Sequence, residues 1–404
     1  MERNTRTVDW VVFRIMWTEI GIELLKGIGK FFINPLLYVA ILFAIVLGYV
    51  RVKRERRFFR TRILWGWTET KRMLQDSWIY ALILSVVSVG IGLTLTTDWI
   101  VTFCIISCVL VLLFVFQIGS PIIASTLAIV AMWIGYQNGG TFEILSFEWA
   151  GERNWLELAL PVALLMGAAV IVEGLLIRKN GAESASPILE QSSRGLTAAG
   201  YLSKRLWMLP VLVIVPGNVI PDFLPFWPQF TLGHDTFGLV LFPVVIAFQQ
   251  KARSTLPVYF YPKVGNAVII VGIATMVLAA GAIWLPFFAA ISLAVGATAR
   301  LGAWLYFDFM ERRGSYSVAP QDSGVMIAGI LPESPAEKMG LQIGECIRKV
   351  NGQTVTNERE LYEAIQINAA HCRLEVLDHQ GEVRLRQHVI YHHDHHRLGL
   401  LVVR

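Results

Sequence analysis

The chain has 404 residues, of which 55% are hydrophobic and only 16% charged, well below the ~25% charged that soluble domains carry. That composition excludes a wholly soluble globular protein. The formal charge of +5 is read by position rather than as a sum, because local Lys and Arg set membrane orientation, and it calls for no nucleic-acid partner.

The opening segment offers no cleavable signal peptide, because Arg14, Glu19, Glu23, Lys26 and Lys30 interrupt any early apolar run. Met16 directly precedes a better-patterned stretch and stands beside Met1 as a candidate start. Between Trp17 and Lys30, the residues Ile20, Leu24, Leu25 and Ile28 share one helical face, which predicts an interfacial helix. A spanning helix needs about 20 mostly apolar residues. The runs that approach this are 31–50, 77–97, 99–117, 121–136, 155–177, 206–220, 237–249, 266–284 and 285–307. Three of them, 121–136, 206–220 and 237–249, are short, and Pro216, Gly217, Pro221, Pro225 and Pro228 leave part of that region open to a re-entrant path. The expectation is a polytopic α-helical membrane domain of eight or nine transmembrane helices. The boundaries read as residues 1–30 for an N-terminal segment, 31–307 for the membrane domain, 308–322 for a linker and 323–404 for a terminal domain.

Lys and Arg number nine in 51–76, five in 178–205 and three in 250–265, whereas 97–98 and 221–236 have none and 137–154 has only Arg153. With nine spans every basic loop falls on one side, together with Glu311, Arg312, Arg313 and the terminal domain. Short basic loops stay in the cytoplasm, so the terminal domain is expected there and the N-terminus outside. The run RVKRERRFFRTR reads as topogenic charge that can also meet anionic membrane lipid through Arg51, Lys53, Arg54, Arg56 and Arg57. Glu173 and Arg300 lie within spans, toward their cytoplasmic ends. Each is expected to snorkel to the interface, with a pair across helices as the alternative.

Catalytic chemistry finds no support. There is no H-E-x-x-H helix to hold zinc and no G-x-S-G setting with a helical His. Cys104, Cys108, Cys346 and Cys372 lack metal-ligand spacing and read as reduced packing residues. The cluster His392-His393-Asp394-His395-His396 reads as a solvated turn that binds metal only adventitiously. No catalytic residue, cofactor or resident metal is expected.

The informative stretch is GVMIAGILPESPAEKMGLQIGECIRKVNG, Gly324 to Gly352. A short apolar strand is followed by Ser334, which can cap a helix beginning at Pro335. Gly340 ends that helix, Gly344-Glu345 turns into a second strand, and Asn351-Gly352 closes it. A further helix runs from Glu358 to about Asn368, with two strands and the final run Arg397 to Val403 after it. This order resembles the bacterial PDZ domain, a small α/β fold (a β-sandwich or partly open barrel with two helices). In that family a hydrophobic-Gly-hydrophobic loop after a basic residue cradles the bound peptide's end. Only Arg397-Leu398-Gly399-Leu400 has this form. Its place at the end of the chain implies a circular permutation with the groove strand last. The peptide-binding residues would then be Arg397, Leu398, Gly399, Leu400 and Val402 on the strand side, and Leu361 and Ile365 on the helix. The alternative is that Ser315 to Pro320 supplies the groove strand.

Taken together, GIELLKGIGKFFINPLLY, then GYVRVKRERRFFRTR, further spans and one C-terminal PDZ-like domain resemble the MinJ-like family over nearly the full chain. These are cell division topological determinants of Gram-positive rods. The resemblance implies a non-enzymatic membrane adaptor in septum site selection, at septa and poles. Such adaptors link a DivIVA-like polar scaffold to the MinD-like ATPase of the Min system, and so place the inhibition of FtsZ assembly; other division proteins are further candidate partners. Two alternatives stay open: a non-catalytic PDZ-bearing regulator or subunit of a membrane protease or secretion complex, and a transporter with an attached PDZ-like domain.

Overall fold

The computed structural model describes Thr18 and residues 20–137, 141–144, 147–150, 155–192, 195–221, 236–321, 323–367, 371–389 and 398–403. Helix α1 covers residues 20–33. Its Leu24 and Leu25 face outward, while Gly27 meets the protein so closely that a Cβ there would lie 2.7 Å from the Leu239 carbonyl oxygen. Helix α2 (Pro35–Phe59) is started by Asn34, whose side chain accepts from the Leu36 amide, with Pro35 in the first turn. It runs past the expected end at Val50, because Arg51 and Glu55, one turn apart, pair at 3.0 Å inside the protein.

Then follow α3 (Thr68–Gln75), α4 (Trp78–Ile91), α5 (Thr97–Leu112), α6 (Pro121–Gln137), the hairpin β1 (Thr141–Ile144) and β2 (Phe147–Ala150), and α7 (Trp155–Asn180). After three strands come α8 (Pro257–Ala280) and α9 (Phe287–Arg313). Five helical stretches are long and apolar enough to cross a membrane: Pro35–Phe59, Thr68–Ile91, Trp155–Asn180, Pro257–Ile283 and Phe287–Arg313. Helices α5 and α6 are apolar but shorter. Where α7 crosses α8, glycines make the contact. A Cβ on Gly174 would lie 2.7 Å from the Gly265 carbonyl oxygen, and one on Gly272 would lie 2.8 Å from that of Gly167.

The main correction concerns the runs 206–220 and 237–249, which are not helices. They are the long strands β4 (Thr197–Pro221) and β5 (Thr236–Ala252), paired antiparallel, with β3 (Ser186–Gln191) beside the start of β4. Their content explains this. Val211, Val213, Ile214, Val215, Val240, Val244, Val245 and Ile246 are β-branched, and Pro210 faces Pro243, so neither position lacks a donor that the other needs. A strand edge among apolar helices would strand its backbone polar groups, and here groups on both edges find partners outside the sheet. The Leu212 amide donates to Ser85 Oγ at 2.9 Å, the Ser77 hydroxyl donates to the Met208 carbonyl at 2.5 Å, and the Leu95 amide donates to the Ile214 carbonyl at 2.9 Å. On the other edge the Ala247 amide donates to the Gly119 carbonyl at 2.8 Å.

Among the described residues the membrane unit thus combines the five long apolar helical stretches and the shorter α1, α5 and α6 with the two long strands β4 and β5. The Tyr261 hydroxyl at the start of α8 donates to the carbonyls of Tyr201 and Gln250. Glu311 at the end of α9 accepts from the amides of Arg253, Ser254 and Thr255. These bonds gather the ends of α8, β4, β5 and α9 at one end of the bundle.

The terminal domain sits on that end. Its strands β6 (Val325–Ile330), β7 (Cys346–Val350), β8 (Gln353–Thr354), β9 (His371–Leu377), β10 (Val383–Val389) and β11 (Leu400–Val402) form one sheet, ordered β10-β9-β7-β6-β11 with β8 on β7. Helices α10 (Pro335–Lys338) and α11 (Glu358–Ile367) accompany it, and Ser334 Oγ caps α10 by accepting from the Glu337 amide. The domain is docked rather than tethered. The Tyr201 hydroxyl donates to the Ala328 carbonyl at 2.9 Å, and Met326, Ala328, Cys346 and Val403 join the core of the helical unit.

Candidate peptide-binding groove

Among the described residues strand β11 pairs with β6 on one side only, Leu400 opposite Ile330 and Leu401 opposite Gly329. The last run of the chain thus forms the sheet edge. Ser315 to Pro320 does not: the Ser317 amide donates to the Arg253 carbonyl and Val318 bridges Ala199, at the base of the hairpin.

A groove of about 510 Å³ lies along β11. Its sheet wall is Leu331, Gly399, Leu400, Leu401 and Val402, and its helix wall is Glu358, Arg359, Tyr362 and Gln366 of α11. A third wall comes from the other unit: Phe58, Phe59, Arg60 and Thr61 at the end of α2, with Leu189 of β3.

The predicted site residues separate into three groups. Gly399, Leu400 and Val402 line the groove. Leu361, Ile365 and Leu398 do not; they are buried in the domain core together with Leu400 and Val402. Arg397 and the cluster 392–396 lie outside the described residues. The helix contribution was displaced by one position. The face that meets the groove is Glu358, Tyr362 and Gln366, spaced by four, whereas the apolar Leu361 and Ile365 turn inward as hydrophobicity dictates. That signal was present in the sequence. The α2 wall had no local signal, since it depends on how two units pack.

Gly399 is held by its surroundings. Its φ is +80°, and a Cβ would fall 2.3 Å from Ser334 Cβ. The Leu398 carbonyl accepts from the Ala336 amide at 3.0 Å and the Gly399 carbonyl from the Leu331 amide at 2.8 Å. Any side chain at 399 therefore disturbs the loop itself. A bulky residue there would strain the domain as well as fill the groove.

The third wall is fixed by buried ion pairs. Arg51 reaches Glu55 at 3.0 Å and Glu69 at 3.1 Å, and Glu69 meets Arg205 at 2.5 Å. Glu55 also accepts from the Ile63 amide at 2.8 Å and from the Ser186 hydroxyl at 3.1 Å. Arg51 is thus inside the protein and is removed from the residues expected to meet lipid, whereas Lys53, Arg56 and Arg57 are exposed. Glu173 and Arg300 likewise do not snorkel. They form a buried pair with nitrogen–oxygen distances of 2.6 and 2.9 Å, and Glu173 accepts a further bond from Ser120. Two opposite charges facing each other inside the bundle gain more than either would by reaching toward water.

At the junction of the two units Glu190 receives Lys251, Arg253 and the Tyr316 hydroxyl. Burial opposes its ionisation, but the Lys251 and Arg253 charges and hydrogen bonds outweigh burial and hold its carboxyl below the usual range. All four cysteines are free. Burial pushes the Cys372 thiol up to about 11, which leaves little thiolate at neutral pH.

A bundle of long apolar helices with a PDZ-type domain locked to one end defines a polytopic membrane protein with a docked PDZ module. Residues 326–377 match the PDZ domain family. The chain is 34% identical to the cell division topological determinant MinJ of Bacillus subtilis (strain 168), over 96% of its own length and 97% of that protein's. It is 28% identical to a probable cell division topological determinant MinJ of Lacticaseibacillus paracasei, over 60% of this chain and 66% of that one. The chain belongs to the MinJ family.

Proposed function

We propose that this protein is a non-enzymatic membrane adaptor in division-site selection. It links a DivIVA-like polar or septal scaffold to a MinD-like ATPase and thereby places the inhibition of FtsZ assembly. The observation that carries the reading is the groove beside β11, which forms the sheet edge among the described residues, on a domain that Tyr201 and Val403 fasten to the membrane unit. A sheet edge next to a helix takes an extended segment by adding it as a strand. A recognition site held rigidly at a membrane surface needs no chemistry to act as an anchor point. On this reading the groove strand comes last in a circularly permuted PDZ domain, and peptide lies along Gly399, Leu400 and Val402.

The orientation follows from loop charge. The basic segments of α2 and α3, of 178–205, of 250–265 and of Arg312-Arg313 lie toward the end that carries the PDZ domain, and short basic loops stay in the cytoplasm, which supports a cytoplasmic PDZ domain. With nine passes the N-terminus is then outside. In the protein's own cells a fluorescent fusion should concentrate at septa and poles, and deletion should give filaments or minicells. Uniform membrane signal together with normal division would overturn the proposal.

A further inference from the structure

Resting on the groove as a peptide site, we infer that the site is bipartite and that its occupant is an acidic extended segment of a cytoplasmic protein. The PDZ domain supplies only two of its walls. The third is the end of α2, where Phe58 and Phe59 present partly buried rings and Arg60 an exposed guanidinium.

This wall is built, not incidental. The chain reverses at Arg60, which sits at φ 56° in the left-handed region and donates its amide to the Arg56 carbonyl at 3.0 Å. A non-glycine residue holds that conformation only where its surroundings impose it. Here Glu55 imposes it, one turn earlier, by accepting from the Ile63 amide while locked to Arg51. The wall is therefore in place before any ligand arrives, which lowers the cost of ordering on binding.

The sign of the ligand follows from the charges on the rim. Arg60 forms no ion pair among the described residues, and Arg56 and Arg57 stand exposed on the same last turns of α2. On the helix wall Arg359 is already engaged by Glu363 at 2.7 Å. Glu358 is the one acid lining the groove among the described residues, and it lies on α11, across from α2. A segment added along β11 thus passes beside the exposed Arg60 on the α2 side, with Arg56 and Arg57 exposed on the turns behind it. Acidic side chains directed toward α2 gain, and basic ones are repelled. The rings of Phe58 and Phe59 with Leu189 add apolar surface for one flanking hydrophobic residue. Selection by an isolated PDZ domain would miss both features.

The test uses the full chain in detergent micelles and a library of random peptides. Binders selected on the wild type should be enriched in Asp and Glu. Arg60→Glu should weaken those binders about tenfold and shift a fresh selection toward Lys and Arg. Gln366→Trp, an exposed position on the helix wall, should abolish binding of the whole set by filling the groove. Binders with no acidic bias, or an acidic bias unchanged by Arg60→Glu, would overturn the bipartite site while leaving the groove itself standing. Binders indifferent to Gln366→Trp would overturn the groove reading as well.

Discussion

Glu173 and Arg300 show what a charge inside the bundle requires. With both present, each has its partner at hydrogen-bond distance. Removing one leaves an uncompensated buried charge, which costs roughly 3–5 kcal/mol, whereas removing both costs far less. Arg300→Leu and Glu173→Leu should each lower the thermal midpoint strongly in detergent, and the double variant should recover most of the loss. Additive losses would contradict the pair. Glu190 makes a pH-dependent prediction at the same scale. Its folded carboxyl titrates below the ordinary glutamate value of ~4.3, so its contribution is complete above that value and is lost as pH falls through the lower folded one. Acidification below about pH 4 should loosen the joint between Glu190, Lys251, Arg253 and Tyr316, read as a lower protection factor, the exchange rate taken relative to the intrinsic rate at each pH, at the Ala199 amide, which donates to Val318. Glu190→Gln should exchange fast already at neutral pH.

At the scale of elements, the β4–β5 hairpin is the part that hydrophobicity alone misreads. An apolar run of 13 to 15 residues satisfies a helix or a buried strand equally well. Only the β-branched content and the prolines in 206–220 and 237–249 separate the two. Two of the nine expected spans are therefore strands, and five helical stretches are long and apolar enough to cross a membrane. Passage as strand makes the edge amides critical. Ser85→Ala removes the acceptor for Leu212 and should cost about 1–3 kcal/mol, with the Leu212 amide exchanging first. The α7–α8 crossing makes a companion prediction. Gly174→Leu should separate the helices and cost about 1–3 kcal/mol or more by overpacking, because its Cβ would meet Gly265 and Ile269 backbone within 2.8 Å. A midpoint equal to the wild type would contradict that contact. The PDZ elements, in contrast, were legible nearly residue by residue. Ser334, Gly340, Gly344 and Gly352 each mark a cap or a positive-φ turn, and local sequence determines such positions.

For the whole molecule, sequence conveyed the layout but not the joint. Spans, basic loops and the PDZ motif each have local signatures, whereas the groove between the end of α2 and β11 is lined by residues more than 300 positions apart. The docking through Tyr201, Ala328 and Val403 brings those walls together. The central claim is that division-site placement passes through this groove. The most direct measurement compares wild type with Gln366→Trp as full-length fluorescent fusions at equal abundance. The account predicts that the variant leaves septa and poles for the whole membrane, with filaments or minicells as in a deletion. A variant that still concentrates at septa and supports normal division would contradict it.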